Sequence, residues 1–196
     1  MSGYPREWEK KVTLKNDQVI FLRRELSTDT EMLWEMFSTL SEATLSNLVL
    51  PFTRERIEKW TGNIDYDKNL PILALIKEGA KQRVIGVASL SFNPVEAFRH
   101  KAELGVTVHD DYQNMGLGTA MVNHLLYIAR KRGLKKVFLL VNTDNARAIH
   151  VYEKCGFQTE GKLIKEHRRN GQLGDDYRMA IFFDIENRRE VKRNDS

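Results

Sequence analysis

Residues 102–133 read AELGVTVHDDYQNMGLGTAMVNHLLYIARKRG, and this stretch decides the fold. Leu104, Val106 and Val108 alternate with Glu103, Gly105 and Thr107, the period of a strand with two different faces. Leu117, Met121, Leu125 and Ile128 then fall on one helical stripe. Arg130, Lys131 and Arg132 occupy the last turn, where cations suit the negative end of a helix, and Gly133 supplies a left-handed stop. Between strand and helix lies Gln113-Asn114-Met115-Gly116-Leu117-Gly118. The first amides of a helix have no intrahelical acceptor, and two glycines leave them open to close approach. The order strand, glycine turn, helix start predicts an anion cradle for a phosphate or pyrophosphate. The plain structural alternative is a tight connection whose glycines serve only positive φ angles.

The turn lacks the Lys-Ser/Thr ending of a nucleoside-triphosphate loop, and it lacks the glycine spacing of a dinucleotide-binding first turn. Downstream stands Asn145-Ala146-Arg147-Ala148-Ile149-His150-Val151-Tyr152-Glu153-Lys154-Cys155-Gly156-Phe157. Gln-x-x-Gly-x-Gly after a strand, followed by this block, resembles the GCN5-related N-acetyltransferase (GNAT) superfamily. The resemblance runs over residues 19–183. It implies an α/β (α+β) domain with a mixed central sheet of six to seven strands. Helices would cover both faces, and two neighbouring parallel strands, those beginning at Glu103 and at Lys136, would splay to form a cofactor cleft. The implied activity is transfer of an acetyl group from acetyl-CoA to a primary amine.

The flanking sequence accommodates that architecture. Residues 1–17 are polar and charged, an N-terminal extension or a short first strand, and residues 19–23 are the first firm strand. Thr28-x-x-Glu31 has the form of a capping box before a stripe of Leu33, Met36, Phe37 and Leu40. Residues 45–52 read as an apolar loop, after which Thr53 is suited to cap a helix carrying Ile57 and Trp60. Strands are predicted at 72–76 and 84–92 around a turn at 78–81, then a loop at 95–101. The apolar run 136–141 reads as a buried strand, and Asp144 or Asn145 as the cap of a helix ended by Gly156. Residues 157–167 and 177–183 read as a closing hairpin around Asn170-Gly171. One domain over 18–184 is expected, with a charged tail at 185–196.

Composition narrows the function further. A chain with 41% hydrophobic and 30% charged residues has the makings of an ordinary globular core. Its net charge of +4 favours anionic ligands in a general way, but the basic residues form no stripe with interleaved aromatics, which argues against nucleic acid. No stretch approaches the roughly twenty apolar residues of a membrane span. The single cysteine allows no internal disulfide and suits a reducing setting, so a cytoplasmic location is expected. Five scattered histidines and that one cysteine lack ligand spacing, and no metal is expected.

The resemblance also assigns the site. Backbone groups of Val106 and Val108 would pair with the pantetheine arm of acetyl-CoA, and the amides from Gln113 through Asn114, Met115, Gly116, Leu117 and Gly118 to Thr119 would hold its pyrophosphate. Asn145 would bond the pantetheine. The Tyr152 phenol would protonate the departing thiolate, the plain alternative being a packed aromatic. Glu103 is the candidate base for the amine. A cross-strand ion pair and water-relayed deprotonation both stay open, and His109 is a weaker base or a surface residue. Leu48, Phe52 and Trp60 would line the acceptor wall or simply join the core. The C-terminal Glu160-Gly161-Lys162-Leu163 and Asp175-Asp176-Tyr177-Arg178-Met179 look like the branch of ribosomal-protein alanine, spermidine and amino-acid acetyltransferases, although Ile164 stands where that branch commonly has arginine. The acceptor would be a small molecule, polyamine or protein amine, and a homodimer is left open. The competing class is an acetyl-CoA-binding sensor or partner-docking module on the same fold, without catalysis.

Overall fold

A computed structural model describes residues 6–48, 51–169 and 171–183. Among these residues eight strands form one sheet in the order β1-β2-β3-β4-β5-β6-β8-β7. They are β1 Lys10–Thr13, β2 Val19–Arg24, β3 Asn69–Glu78, β4 Lys81–Phe92, β5 Lys101–Val108, β6 Lys136–Asn142, β7 Gln158–Arg169 and β8 Gln172–Phe182. Every ladder is antiparallel except β5 with β6. The sheet exceeds the expected six to seven strands because β1 pairs along the whole of residues 10–13 with the outer edge of β2.

Among the described residues five α-helices dress the sheet: α1 Thr30–Ser38, α2 Glu42–Leu45, α3 Arg54–Gly62, α4 Leu117–Lys131 and α5 Ala146–Lys154. The two-residue period of β3 and β4 sends alternate side chains to opposite layers. Ile72, Ala74, Ile85 and Ala88 face α4, where Met121, Leu125 and Ile128 are wholly buried. Leu73, Leu75, Val84 and Val87 face α1 and α3 through Leu33, Met36, Phe37 and Ile57. A Cβ on Gly86 would stand 2.8 Å from Met121 Sδ, so that glycine sets how closely α4 lies on the sheet.

Caps follow from local chemistry. Thr53 Oγ1 accepts the Arg56 amide, and Asn145 Oδ1 accepts the Ala148 amide, as their positions predict. The expected capping box at Thr28 is displaced: α1 starts at Thr30. Asp29 instead takes a two-pronged ion pair from Arg23, at 2.6 and 2.7 Å, and the Leu26 amide at 2.7 Å. A bidentate arginine pair outweighs a hydroxyl cap, so the chain turns one residue later. The apolar loop expected over 45–52 begins inside α2, which Ser41 caps. Asn170 and the tail from residue 184 onward lie outside the described residues.

Candidate functional site

The parallel ladder is only three rungs long, pairing Lys101 with Lys136, Ala102 with Val137 and Glu103 with Phe138. Beyond Glu103 the rest of β5 keeps β4 on one side but has no ladder to β6 on the other. The wedge between them is a cleft of about 1090 Å³, lined by Leu104 through Val108, the start of α4, Val141, Asn142, Asn145 and Tyr152. Val106 and Val108 pack their side chains against the core on the α4 side, so their backbone is what they offer the cleft.

The glycine turn closes one end of this wedge. Gly116 is left-handed at φ +89°, a conformation in which a side chain is strained, and it caps α4. Leu117, Gly118 and Thr119 then hold the first helical positions, whose amides have no partner within the helix. A Cβ on Gly118 would meet nothing closer than 3.8 Å, so packing within the protein does not demand a glycine there. Met115 and Leu117 turn their side chains inward, leaving only backbone for a ligand. Asn114 is also left-handed, at φ +61°.

Gln113 does something the sequence reading did not assign. Its amide donates to Asp110 O at 3.2 Å, so it is engaged within the turn. Its Nε2 donates to Val108 O at 3.1 Å and Thr44 Oγ1 at 3.2 Å, and its Oε1 accepts from the Arg147 guanidinium. Gln113 therefore buckles the end of β5 to α2 and α5. Asp110 reinforces the same junction, accepting from the Ser41 amide, the Ser41 hydroxyl and the Thr44 hydroxyl at 2.8, 2.7 and 2.6 Å. Burial works to raise its carboxyl, but those donors and the nearby His109 prevail and hold it down at about 2.

Cations gather at the turn. Lys15 donates its amide to Met115 O at 3.1 Å and lies beside Gly116, Arg147 is held to the turn by Gln113, and Lys154 also lines the cleft. Lys15 was missed by sequence reasoning because nothing local marks it; β1 and its following turn carry it there from far upstream. Arg147 was quoted within a motif, without a role.

Tyr152 lies on α5 and lines the cleft, its ring 5.8 Å from Phe157. Burial, with a contribution from Cys155, pushes its phenol up to about 12. Such a group stays protonated at any physiological pH and can act only as a donor. Burial also pushes the Cys155 thiol up, which disfavours the nucleophilic thiolate. Asn145 spends its Oδ1 on the helix cap, and its Nδ2 has no partner among the described residues.

Glu103 is exposed on the opposite face of β5 with Gly105 and Thr107 and lines the cleft. Among the described residues it makes no ion pair, so the cross-strand alternative is absent there. His109 is neither base nor surface group: it is 3% exposed, wedged between Arg83 Nη2 at 3.2 Å and Thr39 Oγ1 at 3.1 Å, outside the cleft lining. On the α1–α3 side, Phe37 and Phe52 stack at 4.0 Å, with Trp60 tilted at 6.0 and 6.2 Å from them, and Leu48 beside the cleft. Asp176 of β8 also lines the cleft, bound to His167 Nδ1 at 2.8 Å. Among the described residues no group of three or more His, Cys, Asp or Glu is placed to hold a metal, and no helix is long and apolar enough to cross a membrane.

Fold, splayed strands and glycine turn together define a class, and the comparisons agree. The chain belongs to the Acetyltransferase (GNAT) family, whose sequence model matches residues 32–157. A spermidine N(1)-acetyltransferase of Vibrio cholerae serotype O1 is 32% identical over 107 residues, 54% of this chain and 61% of that protein. The chain thus spans less than two thirds of that curated relative. The GNAT domain of S. lividans PAT superposes with a TM-score of 0.75 at 20% identity, covering 92% of this chain and all of that domain (100%). A Vibrio cholerae spermidine N-acetyltransferase solved with CoA and spermine gives 0.70 at 23% identity, covering 83% of this chain and 95% of that one. At these identities the solved structures establish the fold.

Proposed function

We propose that this protein is an acetyl-CoA-dependent N-acetyltransferase acting on a primary amine by direct attack in a ternary complex. The observation that carries this reading is the wedge between β5 and β6, lined at once by helix-start amides, by a carboxylate and by a protonated phenol. The residues present suit the cosubstrate. The edge of β5 at Val106 and Val108, which makes no ladder to β6 and where Gln113 already donates to Val108 O, can accept an amide-bearing arm as a strand would. The amides of Leu117, Gly118 and Thr119, with the turn Asn114-Met115-Gly116 shaping their approach, suit a pyrophosphate, and Lys15 and Arg147 add positive charge. Asn145 has a free side-chain amide for the arm.

The chemistry divides between two residues. An alkylammonium titrates near 10, so a proton must leave before nitrogen can attack; Glu103 takes it, directly or through water. The nitrogen lone pair then forms the C–N bond at the thioester carbonyl and the C–S bond breaks. Tyr152 gives its proton to the departing sulfur, and the second proton that the new amide nitrogen must shed passes, directly or through water, to the phenolate and restores the phenol. The presence of both groups favours an enzyme over a silent binding module. Free-thiol release from acetyl-CoA, measured against a panel of polyamines, monoamines, amino acids and N-terminal peptides, tests the proposal. Tight acetyl-CoA binding with no thiol released by any amine would reduce the protein to a sensor.

A further inference from the structure

We infer that the acceptor is the N-terminal segment of a polypeptide with acidic side chains a few residues in, held by a second groove that continues the cleft across α3; this rests on the acetyl-transfer reading above. The groove, of about 790 Å³, is lined by Phe52, Thr53, Glu55, Arg56, Lys59 and Trp60. Phe52 and Trp60 also line the cleft between β5 and β6, so the two spaces share a wall. Arg56, Lys59 and Trp60 are three and four residues apart, which puts both cations beside the ring that ends the cleft.

Charge says what the groove holds. Arg56 and Lys59 are exposed, and among the described residues neither side chain makes a hydrogen bond or ion pair. The neighbouring acids are engaged elsewhere, since Arg54 takes both Glu31 and Glu58. Glu55 is the one acid lining the groove, against two cations. A carboxylate laid there gains both without displacing a partner.

Length says what brings it. Glu103, Gly105 and Thr107 share one face of β5, and Thr107 pairs with Val87, whose side chain packs in the α1–α3 core with Phe37. The path from Glu103 to that end is about 13 Å. Phe37 then stacks on Phe52 at 4.0 Å, and Trp60 lies 6.2 Å further. Gly105 leaves the floor of this path open, because a Cβ there would meet only Ser89 Oγ, at 3.7 Å. An extended polypeptide advances about 3.3 Å per residue. With its terminal amine at Glu103, its fourth residue reaches the aromatic wall, and residues five to seven, roughly, pass over it to Arg56 and Lys59. A chain leaving the amine in one direction is what an N-terminus supplies, whereas an internal lysine brings chain on both sides of its stem.

The test is steady-state acetylation by the full chain of peptides alike except at residues five to seven, which are all glutamate, all glutamine or all lysine. Spermidine and an Nα-blocked peptide with an internal lysine complete the set. Expected is a kcat/KM for the glutamate peptide about three- to tenfold above that for the glutamine peptide at low salt, the scale of two exposed ion pairs, shrinking as salt is added. Arg56→Glu with Lys59→Glu should invert the order, so that the lysine peptide leads, while calorimetric acetyl-CoA affinity stays unchanged. Arg56→Gln with Lys59→Gln should level the three peptides, and serves alone if the reversed variant melts early. Equal rates for the three peptides in the wild-type protein overturn the inference. So does a higher kcat/KM for spermidine or for the blocked peptide than for the glutamate peptide, or a glutamate preference that survives in a folded variant. Failure of the acetyl-transfer reading looks different: no amine then releases thiol from acetyl-CoA.

Discussion

Glu103 of β5 lies opposite Phe138 of β6 on the last rung of the parallel ladder, so the candidate base stands where the two strands part. Its carboxylate is exposed to the cleft and unpaired by any cation among the described residues. Glu103→Gln keeps the size and removes the basicity. If Glu103 takes the amine proton, kcat/KM should fall by about a hundredfold at neutral pH, with a partial recovery at alkaline pH as free amine becomes available. A variant within twofold of wild type across the pH range would assign deprotonation to water.

Gly118 tests the anion cradle more cleanly than Gly116. At Gly116, φ +89° strains any side chain, so loss of binding there would mix with loss of stability. At Gly118 the nearest atoms to a new Cβ are Val108 Cγ2 at 3.8 Å and Val151 Cγ1 at 4.0 Å, ordinary contacts. Gly118→Asp should therefore fold, yet bring a carboxylate against the bound pyrophosphate and cut acetyl-CoA affinity by at least about a hundredfold, the scale of one close like-charge contact. Calorimetry on a variant of unchanged melting temperature checks this, and undiminished affinity would remove the cradle.

Tyr152→Phe deletes a hydroxyl and keeps the ring packed beside Phe157. Should the phenol protonate the thiolate, kcat falls about a hundredfold to ten-thousandfold and acetyl-CoA affinity stays put. Because burial holds this phenol at about 12, the wild-type rate should show no loss from Tyr152 ionisation up to pH 10. Wild-type turnover by the variant, with chemistry rate-limiting, would leave Tyr152 as packing alone.

Two buried groups away from the cleft set the pH dependence of stability. Glu25 has no exposed surface, and both its carboxylate oxygens lack a hydrogen-bond partner. Burial, then the charge of Asp29, against the opposing pull of Arg23, raises its pKa from 4.5 to about 8. A raised carboxyl stabilises the fold fully below 4.5 and loses that contribution as pH climbs through 8. His124 runs the other way: burial, then Lys10, lowers it from 6.5 to about 4, so its contribution is complete above 6.5 and lost as pH falls through 4. The two cancel between 4.5 and 6.5. The melting temperature should be flat in that window and fall on going from pH 6.5 to 8 by about 2 kcal/mol equivalent, some 4–8 °C. Glu25→Gln should abolish the alkaline fall in a thermal scan. A slope that persists in that variant would place its origin elsewhere.

The period change between Val108 and Leu117, two glycines and the Asn145–Phe157 block determined a great deal without a structure. They specified β5, the turn, α4 and α5, and with them the parallel neighbour β6 and the tyrosine on α5. These features are legible because they are local: alternation, helical stripes and positive-φ glycines record what each backbone segment must satisfy by itself. The tertiary structure decided what converges on the site. Lys15 reaches the turn only because β1 pairs with β2 and the chain after it bonds to Met115. Gln113, expected to offer its backbone amide, spends that amide on Asp110 O and its side chain on Val108, Thr44 and Arg147, partners contributed by three separate elements. His109, adjacent to the site in sequence, is turned away by Arg83 and Thr39. The cleft that brings Glu103 and Asp176 together with Phe37, Phe52 and Trp60 is likewise a product of long-range packing, since no spacing in the sequence says which side chains find a partner and which are left for a ligand.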